Sequence, residues 1–259
     1  MDLGLAGRKA IVCASSRGLG KACARALAEA GCEVVINGRD ANTLKVTADE
    51  LASITGAKII AVAADVATPE GQKALLAACP QPDILINNNA GPHLRDFREL
   101  TRQQMIDGVT ANMIVAIELI QKVIDPMTQR KFGRIVNITS GAVKAPLAGL
   151  DLSSGARAGL TAFVAGVART VADKNVTINS LMPGAFDTDR LRGTLSGAAT
   201  KTGKSVDEIA AARMATIPAK RFGEPPEFGA ACAFLCSSQA GYITGQNLLI
   251  DGGAFPGAF

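Results

Sequence analysis

A glycine-rich turn near the amino terminus has the composition needed to hold phosphate groups. The turn follows a short apolar run and leads directly into a helical pattern. Its residues are Ser15, Ser16, Arg17, Gly18, Leu19 and Gly20. Glycines let a backbone approach a pyrophosphate closely, and a helix N-terminus offers free N–H groups and a partial positive charge. The same turn would also serve as an ordinary tight connection between a strand and a helix.

Two arginines could recognise a further phosphate. The second apolar run ends in Asn37-Gly38-Arg39, where a carboxylate would bind a ribose 2′-hydroxyl. Arg39, together with Arg17, could instead hold a ribose 2′-phosphate through charge-assisted hydrogen bonds. Asp40 directly precedes an apolar-periodic run, so we interpret it as the N-cap of the next helix. These residues predict binding of NADP(H).

Short β-branched runs alternate with longer helical patterns, which is typical of a parallel sheet with crossover helices. We predict seven strands, at Lys9–Ala14, Glu33–Asn37, Lys58–Ala64, Asp83–Asn87, Arg134–Thr139, Val176–Met182 and Asn247–Ile250. We predict helices at 18–30, 41–54, 69–79, 101–126, 152–173 and 225–237. Because such crossovers are right-handed, the pattern indicates an α/β Rossmann-type doubly wound sheet with helices on both faces and strand order 3-2-1-4-5-6-7. Residues 1–259 are predicted to form a single domain.

The segment 188–218 interrupts this alternation because it contains no strand pattern. It holds a helical patch, Val206–Ala215, among glycines and basic residues. An insertion of this length after a strand's carboxyl end predicts a lid over the substrate. Its apolar side chains, Leu191, Leu195 and Met214, indicate an apolar pocket. Its basic residues, Arg190, Arg192, Lys201 and Lys204, are compatible with an acidic or acyl-carrier substrate.

Composition excludes several classes of partner. The formal charge of +4 comes from scattered residues without a basic run, and the chain has one Tyr and no Trp, so we expect no nucleic-acid partner. No stretch of about 18 uncharged apolar residues is present, so we expect no membrane partner. The start, Met1-Asp2-Leu3-Gly4, lacks a basic segment followed by an apolar one, which predicts a cytoplasmic location.

Six cysteines, at positions 13, 23, 32, 79, 232 and 236, form no CxxC pair. We interpret them as buried reduced thiols. Cys232 and Cys236 stand four residues apart on a predicted helix and could begin a metal site only if further ligands converged there. No metal is predicted.

Motifs along the whole chain resemble those of one known family. The glycine-rich turn is similar to the TGxxxGxG fingerprint of the short-chain dehydrogenase/reductases, with Ala14 in place of the first glycine. We expect the methyl group of Ala14 to be tolerated there with a negative φ. Further matching segments are the adenine-contacting pair Asp65-Val66, the Asn-Asn-Ala-Gly strand end within Asn87–Gly91, the PGxxxT segment Pro183–Thr188, and the C-terminal signature in Arg221–Pro225, Gly241–Gln246 and Asp251–Gly253.

The resemblance implies specific cofactor contacts. Residues of the turn, from Ser15 to Gly20, would bind the cofactor together with Arg39. The other implied contacts are Asp65, Val66, Asn88, Ala90, Arg157, Pro183, Gly184 and Thr188. The segment Asn87–Gly91 has one Asn more than the family pattern, so its register is open by one residue.

The catalytic motif departs from the family pattern. In the family a Ser orients the substrate carbonyl, a Tyr exchanges the proton, a Lys lowers the pKa of the Tyr and holds the ribose, and an Asn supports a proton relay. The resemblance assigns the Ser to Ser140 and the Asn to Asn112. Ser153 and Arg157 stand where the Tyr and Lys are expected. Ser140 is also compatible with a turn cap, and Asn112 with a local irregularity of its helix.

These two replacements change the chemistry of proton transfer. Ser153 is an alcohol with a shorter reach than a phenol, and Arg157 can hold ribose hydroxyls but is a poor proton donor. Lys144, on the loop after Ser140, and His93, after the fourth strand, are the alternative proton donors. Lys144 is also compatible with a plain surface lysine. The segments Val-Lys-x-Pro and Leu-Ser-x-x-x-Arg resemble a divergent subgroup related to 3-oxoacyl-acyl-carrier-protein reductases.

Two functions follow from this pattern. The first is an NADP(H)-dependent oxidoreductase that interconverts a small-molecule carbonyl and an alcohol, with a non-standard proton donor. The second is a catalytically silent NADP(H)-binding pseudo-enzyme with a regulatory or scaffolding role. The resemblance also implies a homo-oligomer, a tetramer or dimer, built through the helices at 101–126 and 152–173 and the C-terminal segment. Small residues on the second helix could mark that contact or packing within one chain: Gly155, Ala156, Gly159 and Ala162.

Overall fold

A seven-stranded parallel sheet forms the centre of the protein, and its strand order is β3-β2-β1-β4-β5-β6-β7. The computed structural model describes residues 2–92 and 94–258. The predicted fold class and strand order are therefore confirmed. The strands are β1 Lys9–Val12, β2 Glu33–Gly38, β3 Ile59–Ala63, β4 Ile84–Asn87, β5 Gly133–Ile138, β6 Val176–Pro183 and β7 Asn247–Ile250.

Alternate residues of the inner strands enter two separate apolar cores, one on each face of the sheet. Val34 and Ile36 of β2 lie in one core, and Val35 between them lies in the other. Strand β5 is buried along its whole length. Burial on both faces explains why these strands appear in the sequence as continuous apolar runs.

Helices cover both faces of the sheet. They are α1 Gly18–Glu29, α2 Ala41–Thr55, α3 Pro69–Ala78, α4 Arg102–Val109, α5 Val115–Gln129, α6 Asp151–Val171, α7 Asp189–Thr202, α8 Val206–Thr216 and α9 Pro225–Cys236. Helix α9 packs very closely on α1, because a methyl group placed on Gly229 would lie 2.4 Å from the carbonyl oxygen of Ala22. This contact supports the helix whose N-terminus follows the glycine-rich turn.

Two helical predictions need correction. The helix predicted over 101–126 is interrupted by one π-helical turn at Thr110–Ile114, between α4 and α5. The segment 188–218 contains two helices, and only α8 was predicted. Helix α7 buries Leu191 and Leu195, whereas its glycines, Gly193 and Gly197, disfavour a helix by propensity.

The cysteines are six free thiols, all buried. Within residues 2–92 and 94–258, no group of three or more His, Cys, Asp or Glu side chains is placed to hold a metal ion. None of the helices described is both long and apolar enough to cross a membrane.

Candidate functional site

A buried carboxamide holds the glycine-rich turn against the sheet. Asn37, at the end of β2, accepts a hydrogen bond from the backbone N–H of Ala14 at 3.2 Å and donates to the carbonyls of Val62 and Ala64. Ser15 is also fully buried, and its hydroxyl donates to the carbonyl of Val12 at 2.7 Å. Ser15 is one of the residues predicted to bind the cofactor. Its hydroxyl is used in a hydrogen bond to the end of β1, which stabilises the turn.

The turn makes a close backbone approach to the first residues of α1. A methyl group on Gly20 would lie 2.3 Å from the carbonyl oxygen of Ala14 and 2.9 Å from the side-chain nitrogen Nδ2 of Asn88. Asn88 donates to that same carbonyl at 3.0 Å. Within Asn87–Gly91, Asn88 is therefore a residue that contacts the turn. Only glycine fits at position 20.

Ala14 does not adopt the conformation expected from the sequence. Its φ is +44°, whereas tolerance of its methyl group was expected with a negative φ. A non-glycine residue in the left-handed region is disfavoured by about 1 kcal/mol or more, because Cβ crowds the backbone. The hydrogen bonds to Asn37 and Asn88 hold Ala14 in this conformation.

Both predicted phosphate-binding arginines lie at the outer end of β2. Arg17 is the N-cap residue of α1, and its guanidinium donates to the hydroxyl of Thr43 at 3.1 Å. Arg39 follows β2 directly and is exposed. Asp40 is confirmed as the N-cap of α2, since its carboxylate accepts the backbone N–H of Thr43 at 2.7 Å. Thr43 hydrogen bonds and the charge of Arg17 lower the pKa of Asp40.

The remaining residues predicted to bind the cofactor lie along the carboxyl edge of the sheet. Asp65 accepts the backbone N–H of Ala67, and the side chain of Val66 is buried in the core. Thr188 is the N-cap of α7, and its methyl carbon lies 3.7 Å from the position of a methyl group on Gly18. The segment 188–218 therefore contacts the glycine-rich turn. Ser16 and Leu19 lie in the turn, Ala90 follows β4, Pro183 ends β6, and Gly184 follows it.

Arg157 is a buried cation between α6 and the end of β5. Its guanidinium donates to the carbonyl of Ile138 at 2.7 Å and to the hydroxyl of Ser153 at 3.2 Å. The residue is 7% exposed. Burial and then the charge of Arg190 lower the pKa of Arg157 to about 10. Ser153 and Arg157 are therefore brought together, and Arg157 remains protonated at neutral pH.

Ser140 and Asn112 occupy the positions expected from the sequence and also make local structural contacts. Ser140 caps a short 3-10 turn by accepting the backbone N–H of Ala142 at 3.1 Å. Asn112 lies in the π-helical turn and donates to the carbonyl of Gly108 at 3.1 Å. Its carbonyl oxygen, like that of Asn87, is buried and accepts no hydrogen bond from the described part of the chain.

A small cavity lies between the carboxamides of Asn87 and Asn112 and the side chain of Arg157. It measures about 20 Å³ and is lined by Asn87, Asn112, Ile138 and Arg157, among others. A cavity of this size can hold one water molecule when polar partners surround it. The two free carboxamide oxygens supply such partners beside the buried cation.

The structure describes one of the two candidate proton donors, Lys144. Lys144 is half-buried, and its ammonium nitrogen lies 5.5 Å from the ring centre of Phe255 in the C-terminal segment. His93, the other candidate, lies outside the described residues. Lys144 is therefore the candidate that the structure describes, on the loop that carries Ser140.

Comparison with known proteins identifies the family. A family model described as Enoyl-(Acyl carrier protein) reductase matches residues 13–254. The chain belongs to this family, within the short-chain dehydrogenase/reductases. The sequence resemblance to the short-chain dehydrogenase/reductases is therefore confirmed.

Several relatives cover nearly the whole chain. The 3-oxoacyl-[acyl-carrier-protein] reductase FabG of Vibrio cholerae is 32% identical, over 98% of this chain and 99% of that protein. The NADPH-dependent reductase BacG of Bacillus subtilis is 32% identical, over 95% and 97%. L-sorbose reductase from Gluconobacter frateurii, solved with NADPH and L-sorbose, has a TM-score of 0.94 and 27% identity, over 99% and 100%. These short-chain dehydrogenase/reductases confirm that the chain is an enzyme of this family.

Replacing Ala14 by glycine tests the strain in the turn. Glycine removes the penalty of the positive φ but makes the unfolded chain more flexible, so we expect the A14G variant to gain roughly 0.5–1 kcal/mol in free energy of unfolding. Urea denaturation measures this difference. The matched control is Ala48→Gly within α2, which should lose about 1 kcal/mol. A destabilised A14G variant would contradict the strain assignment.

Proposed function

We propose that the chain is an NADP(H)-dependent oxidoreductase that interconverts a carbonyl and an alcohol. The observation that carries this proposal is the glycine-rich turn at the N-terminus of α1. The turn contains Arg17, and Arg39 follows the neighbouring strand β2. The turn permits close approach of a pyrophosphate at Gly20, and the two arginines make no ion pair with a carboxylate of residues 2–92 or 94–258. A 2′-phosphate fits between them by charge-assisted hydrogen bonds.

The chain's own residues orient the substrate and place the positive charge of Arg157 beside the cofactor. NADP(H), when bound, supplies or accepts the hydride. The hydroxyl of Ser140 accepts one backbone N–H, so its hydrogen is available to a carbonyl oxygen. Arg157 fixes the end of β5 through Ile138 and keeps a positive charge at the crevice. Both side chains are positioned at the carboxyl end of the same strand.

Reduction also requires a proton for the carbonyl oxygen, and we assign its delivery to Lys144. Ser153 is a poor acid, because an alcohol loses its proton far less readily than a phenol. The guanidinium of Arg157 retains its proton at neutral pH, since its pKa is about 10. Lys144 is on the loop of Ser140 and is half-buried, and an amine is a competent general acid.

A catalytically silent NADP(H)-binding role is the alternative. It is favoured by the alcohol at position 153, which is hydrogen bonded to Arg157. The relatives compared above include named reductases, which supports the active enzyme. Binding of NADPH without oxidation by any carbonyl would favour the silent role.

We further propose a homo-oligomer formed through the outer face of α6. Gly159 packs inside the chain, because a methyl group on it would lie 2.9 Å from the sulfur of Met113. Gly155, Ala162 and Phe163, in contrast, are exposed on α6. This division separates the small residues used for internal packing from those available to a second copy. The cytoplasmic location stays a prediction from the sequence.

Removing either arginine at the end of β2 should change coenzyme preference. We expect R17A and R39A each to weaken NADPH binding by about tenfold or more, because a hydrogen bond to a charged group contributes about 1.5–3 kcal/mol. NADH binding should change little. Fluorescence titration measures both. The control is Arg169→Ala, in the last turn of α6. An equal loss of affinity for NADPH and for NADH in R17A and R39A would exclude the 2′-phosphate assignment.

Removing the amine of Lys144 tests proton delivery. We expect K144M to lower kcat by about 100-fold or more, the usual contribution of a general acid, with the Kd for NADPH unchanged. Stopped-flow oxidation of the NADPH complex by ketones and β-ketoacyl thioesters measures the effect. Lys204→Met, on the exposed turn between α7 and α8, is the matched control. Unchanged turnover in K144M would remove Lys144 from the mechanism.

A charge on the outer face of α6 tests the oligomer. We expect F163K to convert the oligomer to a smaller species, because an unpaired charge in an apolar contact is unfavourable. Light scattering after size-exclusion chromatography measures the mass. Val46→Lys, on the exposed side of α2, should leave the mass unchanged. A wild-type monomer, or an unaltered F163K oligomer, would argue against this face.

A further inference from the structure

One arginine of the lid lies directly against the loop after β4. A methyl group placed on Gly91 would lie 3.0 Å from Nη2 and 3.1 Å from Nη1 of Arg190. The guanidinium therefore rests on the α-carbon of Gly91, three residues beyond Asn88. Because any side chain at position 91 would meet the guanidinium, glycine leaves the space that Arg190 fills.

The pairing of Arg190 differs from that of its neighbour on the same helix. Arg192 forms ion pairs with Asp187 at 2.7 Å and with Asp189 at 3.6 Å. Arg190, by contrast, has no carboxylate within ion-pairing distance in the part of the chain described. Both arginines are exposed, but the two nearby acids are paired with Arg192. Arg190 rests on Gly91 and keeps its charge for another group.

The direction of Arg190 separates it from the phosphate end of the crevice. Thr188, two residues earlier, approaches Gly18 in the glycine-rich turn, whereas Arg190 reaches Gly91. The start of α7 thus contacts two different parts of the crevice. The charge of Arg190 also acts on Arg157, which is hydrogen bonded beside the end of β5. Arg190 therefore lies toward the end that holds the reacting groups.

Two positive charges lie near each other in this part of the site. Arg157 is buried, and among residues 2–92 and 94–258 its guanidinium donates to the neutral oxygens of Ile138 and Ser153. Arg190 adds a second positive charge nearby. A buried cation without a counter-ion is unfavourable. A planar guanidinium binds a carboxylate through two parallel hydrogen bonds, which gives both affinity and orientation.

We propose that Arg190 binds a carboxylate of the substrate, so that the enzyme acts on oxo acids and the corresponding hydroxy acids. The proposal rests on the proposed function, because it assumes that a carbonyl compound occupies the crevice. Buried apolar residues of the same helix, Leu191 and Leu195, are suited to the carbon skeleton. Arg190 is then a specificity-determining residue, distinct from the proton donor.

The test compares acids with their neutral esters by calorimetry on the complex of the enzyme with NADP⁺. The probes are phenylpyruvate and 4-oxopentanoate, each against its methyl ester. We expect at least one acid to bind wild-type enzyme about tenfold or more tightly than its ester, as a charged hydrogen bond predicts. R190A should reduce that preference to within about twofold, and the ion-paired control R192A should retain it.

A second variant displaces the guanidinium of Arg190 without removing its charge. G91A keeps Arg190 but places a methyl group where its guanidinium rests, so we expect it to reduce the preference for the acid as well. Circular dichroism and the Kd for NADPH establish that each variant is folded and loaded. A preference that survives in R190A, or no preference in wild-type enzyme, would overturn the proposal.

Two further results distinguish this proposal from the proposed function. Arg190-dependent binding of an acid without oxidation of NADPH would leave the carboxylate site established while the reductase function failed. A loss of NADPH affinity in R190A as large as its loss of acid affinity would assign Arg190 to the cofactor phosphates and overturn the proposal. Turnover of neutral ketones with no effect of R190A would retain the reductase and exclude the acid site.

Discussion

The carboxamide of Asn37 is the contact on which the rest of the site depends. It joins the turn after β1 to the ends of β2 and β3 with hydrogen bonds to Ala14, Val62 and Ala64. Because the group is buried, each of these bonds would be costly to lose. The turn is thereby fixed before any ligand arrives, with Gly20 against Ala14 and the N-terminus of α1 directed at the crevice. The conformation of Ala14 is the local cost of this arrangement.

A second constraint is the positive charge of Arg157, a buried residue of α6. The guanidinium of Arg157 is planar, and its hydrogen bonds to Ile138 and Ser153 fix its orientation. Its desolvation lowers its pKa but leaves it charged at neutral pH, so the site holds a permanent cation. The fold can support this charge only beside polar atoms, which the strand end and the carboxamides of Asn87 and Asn112 supply.

The sequence predicted the sheet well because its strands are buried on both faces, so each one is a continuous apolar run such as β5. It did not predict α7, where Gly193 and Gly197 weaken the helical signal and tertiary burial of Leu191 and Leu195 decides the structure. The turn and the two arginines could be proposed from the sequence because their spacing is local. The positive φ of Ala14 and the contact between Gly91 and Arg190 were missed, since both depend on segments far apart in the chain.

Ser153 and Arg157 form one structural unit, because the hydroxyl of Ser153 accepts a hydrogen bond from the guanidinium. The guanidinium stays protonated at neutral pH, and an alcohol is a far weaker acid than a phenol. The proposed proton donor, Lys144, lies half-buried on the loop that carries Ser140. A permanent cation at position 157 at the same time favours negative charge in the crevice. The proposed proton donor and the proposed acidic substrate would therefore have the same physical origin, because both follow from a guanidinium that stays charged at position 157.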